Sequence, residues 1–370
     1  MDKIKRFIDI FVPVTTCTLR CHYCYITHKH LFGGPLPKFQ YTPEHVRKAL
    51  SIERLGGPCL INMCGEGETL LPPELLSYVK ELCAEGHYVM VVTNATVDKR
   101  FDEVATWPRE LTSHLFFKFS YHYLEFKKKG MLEKFYNNVR KAREAGCSFT
   151  IEATPSDELI PFIDEMMQSC RDNLGAVNHV TVARDERIGG ELPILTEMSR
   201  EDYNKTWSKY DSGFFSYKMS IFGKKRTEFC YAGAWSLRIN LATGDAQQCY
   251  CSYVYQNVFR DLSKPIVFKP IGNNCSMLHC YNGHAFLVLG LIPELDAPTY
   301  GEIRNRQCAD GSEWLQPAMK AFMDTKLPES NQEYSDEQKK KANQEIQKII
   351  RNEKLKSLPQ LIINKIRSKL

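Results

Sequence analysis

Residues 7–24 read FIDIFVPVTTCTLRCHYC, an apolar stretch that is followed within a few positions by three cysteines. Phe7–Val14 is rich in β-branched and aromatic residues, and this composition predicts a buried β-strand. Cys17, Cys21 and Cys24 then follow with a C-x3-C-x2-C spacing. Three thiolates at this spacing can bind three irons of a cubane 4Fe–4S cluster and leave the fourth iron open, whereas electron-transfer clusters usually have four cysteine ligands.

A zinc site is the alternative for these three cysteines. Zinc knuckles use paired C-x2-C units, and structural zinc has four protein ligands. The nearest candidates for a fourth ligand are His22, His28 and His30, and they do not complete such an arrangement. The spacing and the position after a strand therefore favour the iron–sulfur cluster.

Five further segments have strand composition and are mostly separated by stretches with helical periodicity: Cys59–Met63, Tyr88–Thr93, Leu115–Tyr121, Ser148–Ala153 and Val177–Arg184. These strands begin about every 30 residues, the length that a β-α-β unit requires. The longer interval before the second strand leaves room for the cysteine loop, residues 15–41. The pattern predicts an α/β fold with a parallel sheet, helices outside it, and chemistry at one edge of strand ends.

The composition excludes several classes of protein. With 370 residues, 43% of them hydrophobic, the chain can bury a sizeable core and is not a disordered protein. Its 14 cysteines are too few for a small disulfide scaffold, and no apolar run approaches the roughly 18 residues of a membrane span. No cleavable signal sequence is recognisable at the N-terminus. We therefore expect a cytoplasmic, reduced protein without a transmembrane span, whose cysteines bind metal.

The net charge of +5 comes from the C-terminal tail. Residues 339–370 contain ten Lys and Arg against two Asp and Glu, so the rest of the chain carries a net −3 and offers no surface for nucleic acid. In the tail, isoleucines interleave with basic residues, which indicates an amphipathic helix for weak docking to a partner or a membrane surface. Ser335 and Gln338 form a capping box at its start, and Pro359–Leu370 is predicted as a second short element. We expect the tail beyond about residue 330 to be dispensable for cofactor cleavage.

The three cysteines, with the aromatic Tyr23 before the last of them, resemble the signature of the radical S-adenosylmethionine (SAM) superfamily. The resemblance covers residues 7 to about 190 and implies a partial (β/α)6 TIM-like barrel. It also implies that the open iron of the 4Fe–4S cluster binds the amino and carboxylate groups of SAM. One electron from the cluster then cleaves SAM to methionine and a 5′-deoxyadenosyl radical, which abstracts hydrogen from a substrate. A reducing protein such as flavodoxin or ferredoxin is the implied electron donor.

A second motif, Cys64-Gly-Glu-Gly-Glu-Thr-Leu-Leu71, follows the second strand and is similar to the glycine-glycine-glutamate motif of that family, which binds the ammonium of the cofactor. Gly67 permits close approach of the backbone, and a carboxylate at a strand end can face a cation. Thr69 replaces the usual proline and Glu66 interrupts the glycines. Glu68 is therefore the first candidate for the ammonium ligand and Glu66 the alternative.

The ends of the later strands supply further candidates for the cofactor site. Asn94 lies in Thr-Asn-Ala-Thr after the third strand, similar to a Thr-Asn-Gly of the family. Ser120 shares one face of the fourth strand with Lys118 and His122, by the period-two alternation of a strand, and the family often has a serine here. Other polar residues at strand ends either line the cavity or are satisfied locally, and both interpretations stay open: Glu152, Thr154 and Arg184.

A second group of cysteines follows residue 215. Cys230 and Cys249 flank a predicted hairpin whose first strand is Leu237–Leu241. Their spacing resembles the opening of SPASM and twitch domains, which hold auxiliary iron–sulfur clusters. We predict one auxiliary 4Fe–4S cluster on four of the cysteines: Cys230, Cys249, Cys275 and Cys280. Cys251 and His279 compete as ligands, and a zinc ribbon is the alternative site.

Other cysteines fall on predicted strands or helices and are expected to be buried apolar residues: Cys59, Cys83, Cys147 and Cys170. We predict a radical SAM barrel domain at residues 1–215, a smaller cysteine-rich auxiliary-cluster domain at 216–325 and a basic helical tail at 326–370.

The leading hypothesis is a radical SAM oxidoreductase that modifies a sugar, another small molecule or a peptide by hydrogen abstraction, with the auxiliary cluster accepting the electron. Peptide-modifying relatives often carry an N-terminal recognition domain. The cysteine loop begins too early in the sequence for such a domain, which favours a small molecule as the substrate. The alternatives are a peptide- or protein-modifying maturase, an activase of glycyl-radical enzymes, and a zinc-stabilised binding protein.

Overall fold

The computed structural model describes residues 2–31, 33–187 and 192–367, and within its last helix the side chains of residue 354 and of residues 356–367 fall outside the description. In this part of the chain one sheet has nine strands in the spatial order β6-β5-β4-β3-β2-β1-β7-β8-β9. The strands are β1 (Arg6–Val12), β2 (Cys59–Gly65), β3 (Tyr88–Thr93), β4 (Leu115–Ser120), β5 (Ser148–Ala153), β6 (His179–Val180), β7 (Ser236–Asn240), β8 (Asp245–Gln247) and β9 (Gln256–Asn257).

The first six strands are parallel and lie side by side in chain order. Because parallel neighbours need a crossover, the helices between them lie outside the sheet and the carboxyl ends of all six strands share one edge. The predicted α/β fold with a partial TIM-like barrel is confirmed.

Helices α1 to α9 connect the parallel strands: α1 (Tyr25–His28), α2 (Pro43–Ala49), α3 (Ile52–Leu55), α4 (Leu75–Ala84), α5 (Asp98–Val104), α6 (Arg109–Thr112), α7 (Tyr123–Lys129), α8 (Leu132–Glu144) and α9 (Ile163–Leu174). The remaining helices are α10 (Arg200–Trp207), α11 (Gly213–Ile221), α12 (Gly283–Phe286), α13 (Tyr300–Arg304), α14 (Pro317–Met323) and α15 (Asp336–Arg367).

Local sequence signals explain several helix ends. The Thr42 hydroxyl accepts a hydrogen bond from the amide of His45 at 3.3 Å and caps α2, as its sequence predicts. Gly56 ends α3 in the left-handed conformation, with φ of 82°.

Alternation along β4 separates the core from the site. Phe117 and Phe119 are fully buried among the outer helices, and Lys118 and Ser120 point to the opposite face. The predicted division of this strand into an apolar and a polar face is confirmed. The four cysteines expected in the core are buried as well.

The sixth strand is much shorter than the predicted Val177–Arg184. Only His179 and Val180 pair with β5, and the amide of Thr181 adds one further bond to Ala153. The chain then leaves the sheet, because residues 183–185 pair with residues 193–195 instead, across an antiparallel bridge. This departure carries Arg184 over the carboxyl edge of the sheet.

The predicted hairpin of the cysteine-rich region is confirmed, since β7 and β8 are antiparallel. β7 also pairs in parallel with β1, from Phe7 with Ser236 to Phe11 with Asn240. The sheet therefore continues from the barrel strands into this region, and it places the second group of cysteines beside β1. The division into domains at residues 215 and 325 stays a prediction.

The tail forms one helix, α15, in place of the two predicted elements. Its capping box is as expected, with the Ser335 hydroxyl accepting from the Gln338 amide at 3.3 Å and the Gln338 side chain accepting from the Ser335 amide at 2.8 Å. The break predicted at Pro359 is wrong, because α15 runs to Arg367. The three residues after it lie outside the described part of the chain. No helix in the described ranges is long and apolar enough for a membrane span.

The beginning of the tail is attached to the body. Asn331 donates to the carbonyl oxygen of Lys5 at 2.8 Å, and the amide of Tyr334 donates to the hydroxyl of Tyr231 at 2.8 Å. Ile346 is 3% exposed. A truncation near residue 330 would therefore remove packed structure, and we move the expected limit of the dispensable tail to residue 353.

We expect a chain that ends at Glu329 to unfold at a lower temperature than the full chain. The loss of Ile346 alone removes burial worth roughly 1.5–3 kcal/mol, which corresponds to a decrease in Tm of at least about 2 °C. A chain that ends at Glu353 keeps these contacts and should match the full chain. Calorimetry of the three proteins checks this, and equal melting temperatures would contradict it.

Candidate functional site

Two groups of thiols and a large polar cavity between them lie at the carboxyl edge of the sheet. The first group surrounds a cavity of about 170 Å³, here called the first thiol cavity. Nearly all of the predicted cofactor residues line it: Cys17, Cys21, Cys24, Gly67, Glu68, Asn94 and Ser120. Glu66 and His122 belong to the same lining.

The three thiols of this cavity favour a bound cation. Burial raises the pKa of Cys17, Cys21 and Cys24, and for Cys21 the two neighbouring thiols raise it further. Thiolates are the metal-binding form, so three of them are stable here together only when positive charge joins them. The side-chain amide of Asn94 donates to Cys17 Sγ at 3.6 Å. This donor set fits an iron–sulfur cluster.

Glu68 is the carboxylate of the motif that the fold fixes in place. It is 1% exposed, and its two oxygens accept from the amides of Leu70 (3.0 Å) and Asn94 (2.8 Å) and from the Thr93 hydroxyl (2.6 Å). Burial raises its pKa, while these three bonds oppose that rise. A buried carboxylate held by donors on β3 is suited to pair with a cationic group of a ligand. Glu66 is more exposed and carries no such set of bonds.

Gly67 is required by the packing of two loops. A Cβ at this position would overlap the backbone of Thr16, just before Cys17, and the amide of Gly67 donates to the carbonyl of Val14 at 2.6 Å. The glycine therefore lets the Glu68 loop dock on the cysteine loop.

Tyr23 lies beside the first thiol cavity and is absent from its lining. Its hydroxyl bonds Nδ1 of His122 at 2.5 Å, and its ring stacks on the imidazole. Burial lowers the pKa of His122 to about 4, so the ring is neutral at physiological pH. Tyr23 thus positions His122, which itself faces the cavity.

The second group of thiols surrounds another, smaller cavity, here called the second thiol cavity. The four predicted ligands line it, and Cys251 lines it as well: Cys230, Cys249, Cys251, Cys275 and Cys280. The thiol of Cys251 lies between those of Cys249 and Cys275 and interacts with both. Burial raises the pKa of Cys230 to about 12, and Cys249 raises that of Cys251 to about 11. This cavity also fits a cationic cluster with thiolate ligands.

The competing ligands differ in position. Cys251 is inside the second thiol cavity, whereas His279 lines a separate small cavity and packs against Phe222. Cys308 is buried elsewhere, with its thiol near the carbonyl of Leu174. In the described residues no three His, Cys, Asp or Glu side chains converge closely enough to hold a single metal ion.

A cavity of about 510 Å³, here called the central cavity, borders both thiol cavities. It shares Gly65 and Glu66 with the first thiol cavity and Tyr250 and Tyr281 with the second. Charged side chains line much of it: Asp9, Lys29, Glu66, Lys118, Arg184, Glu186, Lys218 and Arg238. Its volume suits a small molecule or one side chain of a larger substrate.

Lys118 and Glu152, at the ends of β4 and β5, form an ion pair at 3.0 Å. Glu152 also pairs with the fully buried Arg304 of α13. Burial and the neighbouring arginine lower the pKa of Lys118 to about 7. Of the strand-end residues that the sequence left open, Arg184 lines the central cavity beside Lys118, Glu152 pairs with Lys118, and Thr154 is in the lining of none of the three cavities.

Sequence reasoning missed a buried network on β1. The Asp9 carboxylate accepts from Asn62 at 2.6 Å and from the Tyr250 hydroxyl at 2.7 Å, with Arg238 at 4.0 Å. Burial raises the pKa of Asp9. Tyr250 stands between Cys249 and Cys251 in sequence, so this network joins the second thiol cavity to the central cavity. A signal was present, because a charged residue interrupts an otherwise apolar strand.

Residues 11–155 match the sequence profile of the Radical SAM superfamily. This stretch contains the three-cysteine motif and the motif around Glu68. No curated protein matched the chain. Similar solved structures include Streptococcus suis SuiB bound to its precursor peptide SuiA, at 15% identity and a TM-score of 0.48 over 72% of this chain. This chain covers 65% of SuiB, slightly less than two thirds.

Native anSMEcpe with bound AdoMet is similar over 97% of this chain and 99% of its own, at 13% identity and a TM-score of 0.45. BtrN in complex with AdoMet and 2-DOIA is similar over 73% of this chain and 80% of its own, at 13% identity and a TM-score of 0.29.

Proposed function

We propose that the chain is a radical SAM enzyme that modifies a substrate held in the central cavity. One observation carries the proposal: Cys17, Cys21, Cys24 and Glu68 converge on a single cavity within the stretch that matches the Radical SAM superfamily. When bound there, a 4Fe–4S cluster supplies the electron for cleavage of SAM and generation of a 5′-deoxyadenosyl radical. A flavodoxin or ferredoxin is the proposed electron donor to this protein.

The chain's own residues bind and orient the cofactor. Glu68 accepts the ammonium of SAM, and its three hydrogen bonds fix the direction of its carboxylate. Asn94 hydrogen-bonds both Cys17 Sγ and the Glu68 carboxylate, so it couples the cluster site to the SAM site. Ser120 and His122 face the same cavity and are the proposed contacts of the remaining polar groups of SAM.

The second thiol cavity is the proposed site of one auxiliary 4Fe–4S cluster, with Cys230, Cys249, Cys275 and Cys280 as ligands. Hydrogen abstraction leaves an unpaired electron on the substrate, and an oxidised product forms when an acceptor takes that electron. The central cavity borders both thiol cavities, so a substrate there lies between donor and acceptor sites. A small molecule, such as a sugar, is the proposed substrate, and a peptide side chain is the variant that the volume also admits.

Metal and product analysis tests this function. We expect protein purified without oxygen to contain iron and sulfide, and to form 5′-deoxyadenosine when supplied with SAM and dithionite. Zinc without iron and sulfide, or iron without any cleavage of SAM, would contradict the proposal. Cleavage that requires a second protein would identify a glycyl-radical activase instead.

Glu68→Gln is expected to weaken SAM binding by about 10- to 100-fold, because a hydrogen bond to a charged group is worth about 1.5–3 kcal/mol. The glutamine amide would also face the backbone N–H groups that now donate to the carboxylate. Equilibrium dialysis of SAM against reconstituted protein measures the effect. Glu66→Gln is the control and should bind as the wild type does, while the reverse result would make Glu66 the ammonium ligand.

A further inference from the structure

One wall of the central cavity carries three cations that come from three different parts of the fold. Lys118 lies on β4, Arg184 follows β6 where the chain leaves the sheet, and Lys218 lies on α11. Their mutual repulsion contributes to a lowered pKa of Lys218, after the larger effect of burial. All three side chains line the same cavity, and Arg184 and Lys218 also share the lining of a smaller cavity, so they are close enough to act on one ligand.

The carboxylates of this wall do not balance its cations. Glu152 forms ion pairs with both Lys118 and Arg304, and Glu186 pairs with Arg184 at 3.3 Å. Two carboxylates thus face four basic side chains once Lys218 is included. The wall therefore has an excess of basic groups, and an anionic ligand would favour their charged forms.

Lys218 is the least compensated of these cations. It is 9% exposed, and its ammonium donates to the Thr181 hydroxyl at 2.6 Å. Among the described residues no carboxylate lies within ion-pair distance of it. Burial without a counter-ion lowers the pKa of this ammonium, and an anion beside it would favour the charged form, so a ligand explains the position better than the protein alone. His284 lies in the same cavity, and its Nδ1 is buried without a hydrogen-bond partner.

The wall is separate from the place proposed for SAM. Lys118, Arg184 and Lys218 line the central cavity and are absent from the lining of the first thiol cavity. Ser120, two residues further along β4, lines the first thiol cavity instead. The Asp9 carboxylate also lines the central cavity and interacts electrostatically with Lys118, and it disfavours an anion near the Tyr250 side, where it accepts from the Tyr250 hydroxyl.

We propose that this wall binds an anionic group of the substrate, a carboxylate or a phosphate, and that Lys218 determines this specificity. The guanidinium of Arg184 suits bidentate contact with such a group, and Lys118 and Lys218 add point charges. That the ligand is the substrate rests on the function proposed above. The anion site itself depends only on the residues of the wall.

Calorimetry with simple anions tests the site without SAM or turnover. We expect full-length protein purified without oxygen to bind inorganic phosphate or citrate and to ignore glucose. Lys218→Met should weaken anion binding at least about tenfold. Lys209→Met is the control, because Lys209 is exposed in the turn that follows α10 and lines none of these cavities, and this variant should bind as the wild type does.

Two further measurements distinguish a loss of anion binding from a loss of folding. Lys218→Met should melt no lower than the wild type, because it replaces a buried basic group that lacks a counter-ion with an apolar side chain. Arg184→Gln, at a half-buried position, should also weaken anion binding while retaining the wild-type melting temperature.

Three results would overturn the proposal: no binding of either anion, equal affinity in all variants, or displacement of phosphate by SAM. Anion binding in a protein that never cleaves SAM would retain the site and reject the proposed function. SAM cleavage without anion binding would support the proposed function and reject the anion site.

Discussion

Replacing Cys21 with alanine is expected to abolish reductive cleavage of SAM. Its thiol is 5% exposed and lines the first thiol cavity with Cys17 and Cys24. Two remaining thiols cannot complete the three-cysteine attachment of the cluster. Loss of a partner that only orients a metal ligand costs about 10- to 100-fold, so loss of the ligand itself should exceed about 100-fold. The measurement is 5′-deoxyadenosine formed per chain with dithionite as reductant.

Cys83→Ala is the matched control for this variant. Cys83 is also buried, but it lies on α4 in the hydrophobic core and lines neither thiol cavity. We expect it to keep the iron content and the cleavage rate of the wild type. Cleavage that survives in Cys21→Ala, or that is lost equally in both variants, would contradict the assignment of Cys21 as a ligand.

The second large effect is expected for the second thiol cavity. The single variant Cys249→Ala is ambiguous, because the thiol of Cys251 lies next to that of Cys249 and can replace it as a ligand. We therefore expect the double variant Cys249→Ala/Cys251→Ala to lose about four irons per chain. SAM cleavage should stay measurable, because the first thiol cavity is intact, while substrate modification should stop.

Iron analysis and 5′-deoxyadenosine assays separate these effects. Cys251→Ala alone is the control, and it should retain the full iron content if the four predicted cysteines are the ligands. If Cys251→Ala loses iron and Cys249→Ala does not, Cys251 is a ligand of the cluster in place of Cys249. An unchanged iron content in the double variant would remove the auxiliary cluster from the mechanism.

Local patterns predicted much of this molecule. The bounds of Tyr88–Thr93 and Ser148–Ala153 were predicted without error, because each is a short segment with β-branched and aromatic residues between turns. The spacing of the first three cysteines and the motif around Glu68 predicted one shared cavity, because both follow neighbouring parallel strands whose carboxyl ends meet at one edge.

The pairing of strands that are far apart in the chain could not be predicted from the sequence. β7 joins β1 across more than 220 residues, and no local signal distinguishes such a strand from one in a separate hairpin. The burial of Lys218 was missed for the same reason, since a lysine on a short helix is normally exposed. Its burial beside Lys118 and Arg184 depends on how α11 packs over the strand ends. Pro359 misled the tail prediction, because proline usually ends a helix and α15 continues past it.

The tail helix α15 contacts the cysteine-rich region, although the sequence predicted them as separate parts of the chain. Asn343 of α15 accepts from the amide of Asn273 at 2.9 Å and from the side chain of Asn274 at 3.1 Å, next to Cys275. The early part of the tail thus supports a loop of the second thiol cavity. The basic part beyond residue 353 is where docking to a partner or a membrane surface remains a prediction.

We propose that SAM binds the iron that the three cysteines leave open. Electron–nuclear double resonance of the reduced protein with SAM that carries a ¹³C-labelled carboxylate and a ¹⁵N-labelled amino group tests this directly. We expect hyperfine coupling of both labels to the cluster in the wild type. A cluster signal that shows no coupling to either label would contradict it.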